Sequence, residues 1–116
     1  MPAPFVWYDN MTARPEEATR FLETMFGWQP KDIGTMTFLT NEGDDRPFAA
    51  TCAEMDGVRG WAPYFEVDDL SAETARAREN GASVIAENVA GPAGDASFIR
   101  DPGGSPMALW KRGGGA

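Results

Sequence analysis

The sequence predicts an α+β fold built from two βαβββ modules, and three observations carry that prediction. The element order of the first half returns in the second. Each half holds one helix closed by a glycine, Gly27 and Gly81, 54 residues apart. Glycine takes the left-handed backbone at a helix end without steric cost. The other segments are short and partly alternating, and Gly, Pro, Asn and Asp separate them, as expected of half-buried strands. A chain of 116 residues makes one domain, with modules over about residues 4–56 and 60–112. Identity between the halves is low, so the repeat rests on element order and matched helix ends.

Phe5 to Met11 reads as the first strand, after a short Pro-containing arm, Met1 to Pro4. Pro15 suits a first helical residue, and Glu16-Glu17 suit the positive end of the helix dipole. Arg14 stands where a capping Asp or Ser would be expected, so Thr12 is a candidate to help. Ala18, Phe21, Leu22, Met25 and Phe26 fall at i, i+3, i+4, i+7 and i+8. Such a stripe is read as core and given no ligand role. Trp28 to Ile33 is an edge strand because Pro30 interrupts it. Met36 to Thr40 and Phe48 to Met55 complete the module. In the second half Trp61 to Val67 is a strand, and Asp68-Asp69 offers a carboxylate to the helix start. A helix follows from Leu70 to Asn80. Strands come at Ala82 to Val89, Ala96 to Arg100 and Pro106 to Lys111, the last after the Asp101-Pro102-Gly103-Gly104 turn.

Composition narrows function. The net charge is −8 and there is no histidine. Nucleic acid is an unsuitable partner, since phosphate binding needs clustered Lys and Arg. The acidity permits a cationic ligand, or serves only solubility. No run approaches the ~20 apolar residues of a membrane span, and no signal peptide is visible. The lone Cys52 cannot form an internal disulfide and reads as a small buried hydrophobe. A cytoplasmic location is the simplest expectation. The Gly-rich stretch after Arg112 is read as a disordered tail or an expression remnant. Without a histidine base a Ser-His-Asp site is excluded, and the Gly pairs do not form a phosphate loop.

The run Trp61-Ala-Pro-Tyr-Phe-Glu-Val-Asp-Asp-Leu70, the Ala-rich helix to Asn80-Gly81-Ala82, and Asp101-Pro-Gly-Gly-Ser-Pro-Met-Ala-Leu-Trp110 resemble the second module of the vicinal oxygen chelate superfamily. That superfamily includes glyoxalase I, bleomycin-resistance proteins and extradiol dioxygenases. Phe5 to Asp9 and Phe21 to Trp28 resemble its first module. The resemblance implies two modules curled around a cleft, and a homodimer. Each module's bare sheet face and the apolar arm point to a dimer as well.

Alternation puts Trp7, Asp9 and Met11 on one face of the first strand. On the fifth strand Phe65 and Val67 are the expected packing partners of the Leu70 helix, which leaves Ala62, Tyr64 and Glu66 on the opposite face. Metal-dependent members place His, Gln or Glu at matching strand positions. By the resemblance these are Trp7, Ala62 and Ala108, with a fourth unaligned somewhere in Phe48 to Glu54. None of the three coordinates a divalent metal. Neither metal nor cofactor is therefore expected, Asp9 and Glu66 alone being a poor hard-cation site.

What remains is a candidate ligand site of Trp7, Asp9, Tyr64, Glu66 and Trp110. Aromatics beside carboxylates suit a planar or cationic small molecule. For each ring the bland alternative is core; for each acid it is a solvated edge or an ion pair with an Arg. The leading reading is a metal-independent binding protein, possible partners being aromatic or cationic compounds such as antibiotics. A lyase or isomerase using Asp9 or Glu66 as general base is the enzymatic alternative, with no catalytic residue assigned. A ligand-free dimerisation module is the third.

Overall fold

The computed structural model describes residues 4–55 and 57–113. The start of the arm, Met1 to Ala3, and the end of the Gly-rich tail lie outside the described residues. Ten elements follow in order. In the first half they are β1 (Trp7–Thr12), α1 (Pro15–Phe26), β2 (Gln29–Asp32), β3 (Thr37–Thr40) and β4 (Pro47–Ala53). In the second they are β5 (Gly60–Glu66), α2 (Leu70–Glu79), β6 (Ser83–Gly91), β7 (Gly94–Arg100) and β8 (Pro106–Arg112). The expected βαβββ order is present twice. By contacts the chain divides into two compact units, one from Trp7 to Ala62, the other from Pro63 onward together with the segment up to Val6.

In the first half the strand order is β2-β3-β4-β1. β2 and β3, and β3 and β4, are antiparallel, whereas β1 joins β4 in parallel with Asp9 opposite Ala50. A parallel neighbour needs a crossover, and α1 with the two outer strands provides it. β2 is exposed along its length, as suits an edge strand carrying Pro30.

α1 begins at Pro15 with Glu16 and Glu17 in its first turn, and no side chain caps it. Arg14 occupies the cap, and Thr12 Oγ1 accepts the Arg14 N–H at 3.1 Å. Thr12 thus steadies the approach to the helix without satisfying a helical N–H. Gly27 ends α1 at φ 72°, its N–H donating to the Glu23 carbonyl at 2.9 Å.

The apolar stripe of α1 departs from the expectation. Leu22 alone in the helix is buried; Phe21, Met25 and Phe26 are 58%, 59% and 51% exposed. The reason lies under the helix. Leu39 and Ala49 offer one narrow apolar strip, flanked by Trp28 and Phe48, and Leu22 fills it. The apolar arc of α1 is wider than the surface available to cover it. Periodicity reports an apolar face and does not report whether this chain covers it.

The second half has the order β5-β8-β7-β6, with β5 and β8 parallel and the others antiparallel. Asp69 caps α2 by accepting the Ala72 N–H at 3.0 Å. Glu79 is the last helical residue, Asn80 is the C-cap, and Gly81 follows at φ 98°. Val67, Leu70, Ile99 and Leu109 form the core, with Phe65, Ala77 and Met107 packed against it. Phe65 and Val67 therefore face α2, as alternation required. Burying a side chain of this size contributes roughly 1.5–3 kcal/mol.

A polar chain crosses this second core. Thr74 and Ser97 are both fully buried. Thr74 Oγ1 lies 2.7 Å from the Leu70 carbonyl and 2.9 Å from Ser97 Oγ, and Ser97 Oγ accepts the Asn88 N–H at 3.3 Å. Counting protons, Thr74 donates to Leu70 and Ser97 donates to Thr74, so every hydroxyl is satisfied. Asn88 sits at φ 54°, where the β6–β7 register shifts between Ala86 and Val89. Asn tolerates that left-handed backbone better than most residues. The chain ties the bulge to the helix.

Candidate functional site

In the first half the structure brings two of the expected site residues together. Trp7 Nε1 donates to Asp9 Oδ1 at 2.7 Å, which requires both on the same face of β1. Asp9 is only 2% exposed and Trp7 is half-buried. The Trp7 ring meets Phe38 edge to face, with centroids 5.5 Å apart. The carboxylate thus holds the indole in one orientation, and Phe38 holds its flank.

Cys52 pairs with Met11 across β4 and β1 and is buried. Burial pushes its thiol up to about 12, and the negative charge of Asp9 pushes the same way. At neutral pH it stays protonated, a buried apolar group rather than a nucleophile.

In the second half Glu66 and Trp110 are register partners on β5 and β8. Sequence reasoning left out the residue that joins them. Arg112 Nε lies 3.0 Å from Glu66 Oε2 and its Nη2 lies 3.2 Å from Oε1, a two-pronged ion pair. The same guanidinium stands 4.9 Å from the centroid of the Trp110 ring. Glu66 raises the Arg112 pKa, first by hydrogen bonding and then by charge. The signal was present in the sequence: Arg112 is two residues after Trp110 on one strand and so shares its face.

Gly94 seats the other side of this group. A Cβ there would collide with the Lys111 carbonyl and lie 2.7 Å from Trp110 Nε1. Only glycine lets the indole edge approach β7 this closely.

Tyr64 is 9% exposed and meets Phe98 edge to face at 5.9 Å. Its ring belongs to packing as much as to a surface. Ala62 and Ala108 are fully buried methyl groups. An acidic groove opens at the start of α2, lined in part by Asp68, Asp69, Asp95 and Lys111. None of the five expected site residues lines it.

The side chains at Trp7, Ala62 and Ala108 do not fit the divalent ion that the metal-dependent members hold, because none carries a donor atom for it. Among the described residues no three His, Cys, Asp or Glu are grouped to hold a metal. No described helix is long and apolar enough to cross a membrane.

The same architecture occurs in solved structures. The chain superposes on methylmalonyl-CoA epimerase from Mycobacterium tuberculosis with a TM-score of 0.58 and 18% identity, covering 97% of this chain and 93% of that one. It superposes on the Mn(II)-bound glyoxalase from Novosphingobium aromaticivorans with a TM-score of 0.61 and 15% identity, covering 95% of this chain and 39% of that one. At such identities the likeness is one of fold. Among curated proteins the chain is 30% identical over 118 residues to CFP32 of Mycobacterium tuberculosis, whose name assigns it provisionally to the glyoxylases. The match takes in 90% of this chain and 44% of that protein, so the chain spans less than half the length of this relative. The family model described as Glyoxalase/Bleomycin resistance protein/Dioxygenase superfamily matches residues 5–109. The chain belongs to that superfamily.

Proposed function

We propose that this chain is a metal-independent small-molecule-binding member of the superfamily, taking a planar, aromatic compound of the kind that drug-sequestering members hold. The observation that carries the reading is the fixed indole of Trp7. The family resemblance puts it at a metal-ligand position of the metal-dependent members, and Asp9 accepts its Nε1–H at 2.7 Å. A buried acid spent on orienting a ring supports a role in stacking rather than coordination.

The arrangement also revises the expected ligand charge. Both oxygens of Glu66 already accept from Arg112, and that guanidinium lies over Trp110. The cation such a carboxylate and ring would attract is supplied by the chain itself. A planar ligand therefore needs no positive charge. The lyase or isomerase alternative draws little support from either acid, since Glu66 is engaged and Asp9 is buried against Trp7.

The test is a thermal-shift and Trp-fluorescence screen of planar metabolites and antibiotics, run with EDTA and with added Mn, Ni or Zn. A ligand that binds only the folded state raises the melting temperature. Hits should quench fluorescence, be indifferent to EDTA, and lose about 1–3 kcal/mol of affinity in Trp7→Ala. Stoichiometric metal in chelator-free protein, with ligand binding abolished by EDTA, would overturn the reading.

A further inference from the structure

The guanidinium at the end of β8 is only partly used. Arg112 gives Nε and Nη2 to the two oxygens of Glu66. A guanidinium carries five N–H donors in a flat fork, and that fork has two edges able to grip a carboxylate. Glu66 takes the Nε–Nη2 edge. The Nη1–Nη2 edge makes no hydrogen bond among the described residues. Its orientation is set from two sides. Glu66 fixes the fork by bonds of 3.0 and 3.2 Å, and the half-buried Trp110 ring lies 4.9 Å from the guanidinium carbon.

We infer that Arg112 is a specificity-determining residue that selects acids: the compound taken here is a planar ring bearing a carboxylate, the ring against Trp110 and the carboxylate on the open edge of Arg112. This rests on the reading that the chain binds planar compounds, and adds the functional group they carry.

Charge on this face favours an acid over a base. Alternation and register put Tyr64, Glu66, Trp110 and Arg112 on one face of the second sheet. Both oxygens of Glu66 are engaged, so an arriving cation finds no open carboxylate on it. Lys111 and its register partner Asp95 lie on the opposite face, beside the start of α2. Arg100, the next cation on the Arg112 face, is opposite Pro106, whereas Arg112 is opposite Gly94. Six strand positions separate the two, about 20 Å. A carboxylate therefore meets one cation with a ready-made, unoccupied pair of donors, and no existing bond has to break. The guanidinium stays charged at any working pH.

The probes are 2-naphthoate and its neutral amide, 2-naphthamide, which share ring and outline. They are titrated into the full chain while the Trp110 indole N–H is followed by NMR, its signal assigned with Trp110→Phe. The acid should bind about fivefold tighter than the amide, the upper end for an exposed charge pair, and should shift the Trp110 signal. That preference should shrink as salt is raised. Arg112→Gln should remove or invert it, with folding checked by circular dichroism. Arg112→Lys keeps the charge and loses the fork, so it should restore the preference only in part. Equal affinities in the unmodified chain would overturn the inference. So would an unmoved Trp110 signal, or a preference that survives Arg112→Gln intact. The planar-ligand reading is scored separately, on the amide and Trp7→Ala. An amide that binds through Trp7 while the acid gains nothing leaves that reading standing and sinks this one.

Discussion

The two halves share one element order and dock their helices by different forces. In the first, α1 is uncapped and presses one leucine into a narrow strip of Leu39 and Ala49. The hydroxyl of Thr51, buried in β4, has no hydrogen-bond partner among the described residues. In the second, α2 is capped by Asp69 and tied to the sheet through Thr74, Ser97 and Asn88. The helix with the stronger apolar stripe is the less buried one. A matched topology therefore fixes neither the distribution of polar bonds nor the extent of burial.

Three measurements can break or sharpen that contrast. The largest effect is expected at Leu39, fully buried at the middle of the first core. Leu39→Ala should cost about 2–5 kcal/mol in chemical denaturation, since Leu22, Ala49, Trp28 and Phe48 around the cavity relax only in part. A loss near zero would mean that the first half is held by something other than this strip.

Next come two hydroxyls predicted to move stability in opposite directions. Ser97→Ala breaks the satisfied chain and strands the Asn88 N–H, at about 1–3 kcal/mol. Thr51→Val removes an unpaired buried hydroxyl while keeping the branched shape, and should stabilise by about 1 kcal/mol. If both changes destabilise equally, Thr51 is satisfied in solution and the contrast disappears.

The smallest pair concerns the caps. Asp69→Ala should lose about 1 kcal/mol, whereas Arg14→Asp should gain about 0.5–1 kcal/mol by supplying the acceptor that α1 lacks. Thermal melts of the two variants should move in opposite directions. Arg14 also pairs loosely with Glu17 at 3.5 Å, an exposed contact too weak to reverse the sign.

Much of this was legible in the sequence. Pro15, Gly27, Asp69 and Gly81 mark helix ends by chemistry that acts within a turn, and the structure places both helix ends beside them. Phe65 and Val67 could be assigned to the helix side because alternation is strict in a strand. The failures share a cause. Whether Phe21 and Met25 are covered depends on the width of a strip made by Leu39 and Ala49, 14 to 28 positions away. The Arg112–Glu66 pair spans 46 residues, and only the β5–β8 register brings it together. Periodicity is silent on both.

The guanidinium of Arg112 has one more consequence. It is tethered beside Trp110 and Glu66, so any cation arriving from solution competes with a resident one. A tethered group acts at an effective concentration on the order of millimolar. The pair is solvent-exposed, so the advantage it holds over an incoming cation is modest. On the proposed ligand-binding reading, Arg112 disfavours a positively charged compound at this ring from two positions further along the same strand.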